Sequence, residues 1–116
     1  MSRANENYPK RRPKRLGIKC KDGKEIELPY SWQTLQVVII KAGVEMVSKI
    51  VFEERGIPLI SKEYSMDNEV KKYQKEIVSG YYLYTKNSTC EKFYYLYKIW
   101  KELELDWIEE IYCIEK

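Results

Sequence analysis

The chain has 116 residues, 44% of them hydrophobic, which is enough for one core but not two, so a single domain is expected. It contains no histidine, which removes the usual general base, and Cys20, Cys90 and Cys113 match neither a disulfide framework nor paired zinc ligands. Its charge is segregated: residues 1–24 carry nine basic groups against two acidic ones, net +7, and 25–116 hold 12 basic and 16 acidic groups.

Residues 1–15 hold Pro9 and Pro13 among charges, with only Tyr8 to bury, and read as a basic flexible arm. From 16 to 28, apolar residues alternate on either side of Asp22-Gly23, the pattern of a β-hairpin closed by a type I′ turn. After Pro29, Ser31 has the chemistry of a helix cap. Trp32, Leu35, Ile39, Ala42, Met46 and Ile50 then form one apolar stripe, predicting a helix over 32–53. Gly43 and the β-branched run at 37–40 weaken it, and Arg55-Gly56-Ile57-Pro58 ends it. Leu59-Ile60 opens a short extended segment. Residues 61–80 form a variable segment with a short helix over 68–77.

Tyr81-Tyr82-Leu83-Tyr84-Thr85 reads as a strand entered through Gly80. Ser88 and Glu91 have capping-box spacing, and Phe93, Leu96, Ile99 or Trp100, and Leu103 supply the buried face of a second helix. Asp106 starts a turn, and 110–114 reads as a closing strand preceded by one helical turn. Together, residues 16–116 form one α+β domain, with an N-terminal β-hairpin and two main helices on one face of a small, mostly antiparallel sheet.

Blocks of like charge act as interaction tails, and a basic arm finds its commonest partner in phosphate. Lys10, Arg11, Arg12, Lys14 and Arg15, with Lys19, Lys21 and Lys24 beside them, are the expected contacts to DNA or RNA; the other readings are an acidic protein partner and a solvated tail. The stretch Pro-Lys-Arg-Arg-Pro-Lys-Arg also has the form of a nuclear import signal, but the Lys-, Ile- and Tyr-heavy usage points to an AT-rich bacterial or phage genome. The chain has 11 Tyr and 3 Trp against 2 Phe, a composition suited to half-buried faces and interfaces. Tyr82 and Tyr84 share one strand face, and Tyr94 and Tyr97 lie one helical turn apart. They could stack on bases, but few basic residues are interleaved with them, so a half-buried or homodimer interface is the favoured reading.

No catalytic residues are expected: Tyr84, Lys86 and Cys90 lie close together without a base, an oxyanion loop or a phosphate-cradling glycine motif. The pairs Glu53-Glu54 and Glu109-Glu110 read as solvated faces. No metal or other cofactor is expected. The longest apolar run, Val37-Val38-Ile39-Ile40, falls far short of the ~20 residues of a membrane span, and residues 1–8 lack a signal peptide's apolar region, so a cytoplasmic location in a bacterial cell is expected.

Asp22-Gly23-Lys24-Glu25-Ile26-Glu27-Leu28, followed by Tyr30-Ser31-Trp32 and an apolar helix, resembles a small α+β module appended to bacterial restriction-associated and related defence proteins. Gly80-Tyr81-Tyr82-Leu83 with Thr85, Asn87 and Ser88, a helix, 103–106 and a closing strand continue the similarity, which covers most of 16–115 outside the variable segment. The resemblance implies a module that reads or docks on nucleic acid without catalytic residues. The chain departs from it in carrying no enzymatic partner domain, which leaves an adaptor, a small DNA-binding protein or a phage-encoded decoy. The alternative function is therefore an inhibitor, of anti-restriction or anti-CRISPR type, that binds a host defence complex through its Tyr-rich face and basic arm.

Overall fold

The structure, a computed structural model, describes residues 15–50, 52 and 58–114. Its strands are β1 (Arg15–Cys20), β2 (Glu25–Glu27), β3 (Ile60–Ser61), β4 (Gln74–Val78), β5 (Tyr81–Tyr84) and β6 (Ile108–Ile114). Its helices are α1 (Ser31–Ala42), α2 (Val44–Ser48), α3 (Asn68–Lys71) and α4 (Thr89–Glu102). The fold is α+β, as expected, with its strands divided between two antiparallel sheets in the orders β2-β1-β6 and β3-β5-β4.

The hairpin forms as the alternation predicts, but its turn differs. The Gly23 N–H bonds Cys20 O (3.0 Å), the Cys20 N–H bonds Lys24 O (2.8 Å), and within the turn only Gly23 has positive φ. A type I′ turn would need positive φ at two residues, so this is a three-residue loop closed by a glycine bulge. Alternation sends Leu16, Ile18 and Cys20 inward, where they meet Ile108 and Ile111 of β6 in the core. Arg15, expected in the arm, is the first residue of β1.

Within the described residues the single helix expected over 32–53 is two helices; 51, 53 and the expected stop at 55–57 lie outside them. Gly43, at φ +104°, interrupts it, a conformation that costs any residue with a Cβ. The break resets the helical phase. Val44 and Val47 are buried after it, and Met46, on the expected stripe, is 53% exposed. Ser31 is the first helical residue and not the cap. The Gln33 side chain accepts from the Tyr30 N–H (3.1 Å), and Ser31 Oγ accepts from Thr89 Oγ1 (3.4 Å).

α1 and α4 pack together against the inner face of the first sheet, and buried Thr34 ties α1 down by donating to Leu16 O (3.2 Å). α1 and α2 also contact β4 and β3 respectively, so Ile77 and Leu83 of the second sheet, with Leu59 just before β3, belong to the same core. α4 begins as expected: Ser88 Oγ accepts from the Glu91 N–H (3.0 Å) and Glu91 Oε1 from the Ser88 N–H (2.7 Å). The short helix expected over 68–77 is one turn, α3, and β4 occupies the rest. The closing strand starts at Ile108, preceded by a tight turn and not a helical one.

Candidate nucleic-acid interface

Of the expected phosphate contacts, Lys10, Arg11, Arg12 and Lys14 lie outside the described residues. Arg15 and Lys19 point to the outer face of the first sheet; Lys21 and Lys24 are exposed in the hairpin loop. That outer face is not basic. The register places Lys19 opposite Glu25 on one side and Glu110 on the other. Tyr112 lies across Gly17 and donates its phenol hydrogen bond to Glu27, with Glu25 3.4 Å away. Desolvation, followed by the hydrogen bond and charge of Glu27, pushes the Tyr112 pKa well up, so this phenol remains a donor at neutral pH.

The expected interaction residues separate into two groups. Tyr82 and Tyr84 lie on the outer face of β5, because Leu83 between them is buried. Tyr94 and Tyr97 lie on α4: Tyr94 packs on Tyr95, and Tyr97 stacks with Phe93 (6.5 Å) and meets Trp100 edge-on (5.6 Å).

The second sheet is where rings and cations converge. Gln74, buried on the same face as Tyr84, donates from Nε2 to Ser61 Oγ (3.0 Å) and accepts at Oε1 from the Ser65 N–H (2.8 Å). Both hydrogen bonds pin loop 61–67 back onto the sheet. The pinned loop lays the Tyr64 ring on Tyr82, centroids 4.1 Å apart and 37° from parallel. Desolvation, and secondarily the Glu76 carboxylate, raises the Tyr82 pKa, so this hydroxyl too is protonated at neutral pH. Lys71 lies 5.3 Å from the Tyr64 centroid, and Lys72 and Lys86 lie 5.5 and 5.0 Å from Tyr73. On α4, Lys98 lies 5.9 Å from Tyr94, and Lys101 is 5.4 Å from Tyr97 and 3.9 Å from Trp100. Of the expected tyrosines, Tyr94 and Tyr97 thus have a lysine beside the ring. Lys71 and Lys72 serve other rings, Tyr64 and Tyr73. Tyr64, Lys71 and Lys72, in the segment read only as variable, are the members of this surface that sequence reasoning missed.

Lys92 is a different kind of cation. It is 3% exposed, and its ammonium donates to Thr85 O (3.1 Å) and Asn87 O (2.5 Å) at the entrance to α4. Desolvation lowers its pKa to about 8 against a weaker opposing pull from Glu91. With both bonds made to backbone carbonyls, it acts as a tether for the loop between β5 and α4. One signal marked it in the sequence: at helical spacing, Lys92, Leu96 and Ile99 share a face.

The motif residues behind the resemblance have structural duties here: Gly23 closes the hairpin, Ser88 caps α4, and Trp32 packs under Lys75, 5.1 Å from its ammonium. Among the described residues no helix is long and apolar enough to cross a membrane, and no cluster of metal-ligating side chains occurs. Basic and acidic side chains balance at 14 each among the described residues. No protein-family model, curated protein or solved structure matches the chain.

Proposed function

We propose that the protein is a non-catalytic nucleic-acid-binding module. The observation that carries this reading is the outer face of the second sheet, where the exposed Lys71 ammonium stands beside the exposed Tyr64 ring, itself laid on half-buried Tyr82, on a surface held in place by Gln74. Aromatic faces beside cations are the equipment for holding bases and phosphates together. The body is electrically balanced, so the excess positive charge that draws the chain to a polyanion comes from the first 14 residues, five basic against one acidic. In this reading the arm supplies long-range attraction and phosphate contacts, and the folded body supplies the contact surface. A bacterial or phage defence setting, as in the restriction-associated module, belongs to the same proposal.

The test is fluorescence anisotropy with labelled DNA and RNA over a salt series, comparing the full chain with a variant in which Arg11, Arg12, Lys14 and Arg15 are alanine. Each lost phosphate contact should lower the salt slope by roughly 0.7 on single strands, so the fourfold variant should lose about 3. Unchanged affinity at low salt would refute the role of the arm.

A second reading draws on the first sheet. Glu25, Glu27 and Glu110 around Lys19 make an acidic outer face, which suits an inhibitor that occupies the basic channel of a host defence effector. This reading predicts a protein complex that survives nuclease and is recovered from the host by tagged bait.

A further inference from the structure

We propose that the ligand of the second sheet is a single strand, with an unpaired base stacked on Tyr64 and Tyr82 and the flanking phosphate held by Lys71 and Lys72. The inference rests on the nucleic-acid reading above and adds the class of strand and the residues that select it.

Tyr64 is 43% exposed, yet its loop is fixed by the Gln74 hydrogen bonds and by the Asp67 N–H bonding Ser65 Oγ (3.0 Å). A ring exposed on a rigid loop loses little freedom on binding, the condition under which stacking contributes most to affinity. Tyr64 also lines two open clefts. One, of about 560 Å³, runs toward Lys71, Lys72 and Asn68; the other, of about 420 Å³, runs toward Ser61, Asp67 and Val70. Both lie within the size range of small-molecule sites. Met66, 98% exposed two positions along the same loop, extends the apolar surface.

The free state of this site prefigures the bound one. The Lys71 ammonium sits over the Tyr64 ring, a contact that is weak at an exposed site. A base presents a π face to the same ring and displaces that ammonium, which is then free to meet the phosphate attached to the base. Duplex DNA cannot use such a platform, because its bases are already stacked on one another and only their edges reach the grooves. Glu69 is the local competitor: its carboxylate holds Lys72 at 3.1 Å, where a phosphate would otherwise sit.

The experiment is anisotropy at low salt, using the full chain with a labelled oligothymidylate and with a mixed-sequence oligonucleotide offered both as single strand and as duplex. Tyr64→Ala, Tyr64→Phe and Glu69→Gln are compared with the parent, with thermal melting as the check on folding. The expected results are tighter binding of single strand than duplex, and roughly 5- to 150-fold weaker single-strand binding in Tyr64→Ala. Tyr64→Phe should bind like the parent, and Glu69→Gln should bind more tightly. If single strand and duplex bind equally and Tyr64→Ala changes neither, the platform is overturned and the nucleic-acid reading stands. If neither binds at low salt, both fall, and a protein partner takes their place.

Discussion

Raising the pH from about 7.5 to about 9.5 should stabilise this protein, because Lys92 sheds its proton more readily when folded than when unfolded. Folding takes its ammonium out of water to 3% exposure, and this desolvation lowers its pKa from 10.5 to about 8 although Thr85 O and Asn87 O accept from it. The unfolded chain therefore binds more protons than the folded one between those two values, and stability rises with pH across that window. Integrated over the interval, the linkage gives about 2 kcal/mol, a sizeable part of the ~5–15 kcal/mol that holds a typical domain together. Above about pH 10 the trend should reverse. Tyr112 holds its proton more tightly when folded, so the stability it contributes is complete below the ordinary tyrosine pKa and is lost as the unfolded tyrosines ionise. Urea denaturation at several pH values measures this directly, with an unchanged m-value showing that the midpoint shift reports stability. Lys92→Met should flatten the rise whatever it does to the absolute midpoint. A parent midpoint that stays level or falls between about 7.5 and 9.5, or a rise that persists in Lys92→Met, would refute the account of this residue.

Two further substitutions probe the frame that carries the candidate surface. A Cβ on Gly17 would overlap the Tyr112 ring, so Gly17→Ala should destabilise by about 1–3 kcal/mol in thermal or urea melts, and the loss should shrink when Tyr112 is already alanine. Equal losses in both backgrounds would show that the ring is not what Gly17 accommodates. Ser88→Ala removes the cap of α4 and should cost about 0.5–2 kcal/mol, an effect that Ser88→Asp should largely avoid.

What the sequence discloses about this fold is its local grammar. The hairpin at Asp22-Gly23, the strand Tyr81–Tyr84 and the Ser88 and Glu91 cap of α4 depend on contacts a few residues apart, and each forms near its expected place. What stays hidden is set by distant partners. β4 reads as polar because it is an edge strand with Lys75 and Glu76 exposed, and its identity comes from pairing with β5. The break at Gly43 is only half legible: the glycine weakens the helix in the sequence, but the apolar stripe continues through Met46, and the backbone conformation at the glycine moves Val47 into the core in its place. The candidate surface is the least legible part. Tyr64 and Tyr82 are 18 positions apart, and Gln74, whose side chain brings the loop to the sheet, looks in the sequence like any other polar residue.

The most direct test of the central claim is to locate the bound strand on the folded protein. Amide and tyrosine-ring NMR signals of the full chain, followed as an oligothymidylate is added, should shift first at Tyr64, Lys71, Lys72 and Tyr82, with the arm following and the outer face of the first sheet unmoved. Shifts concentrated around Glu25, Glu27 and Tyr112, or confined to residues 1–14, would contradict the assignment of the second sheet as the contact surface.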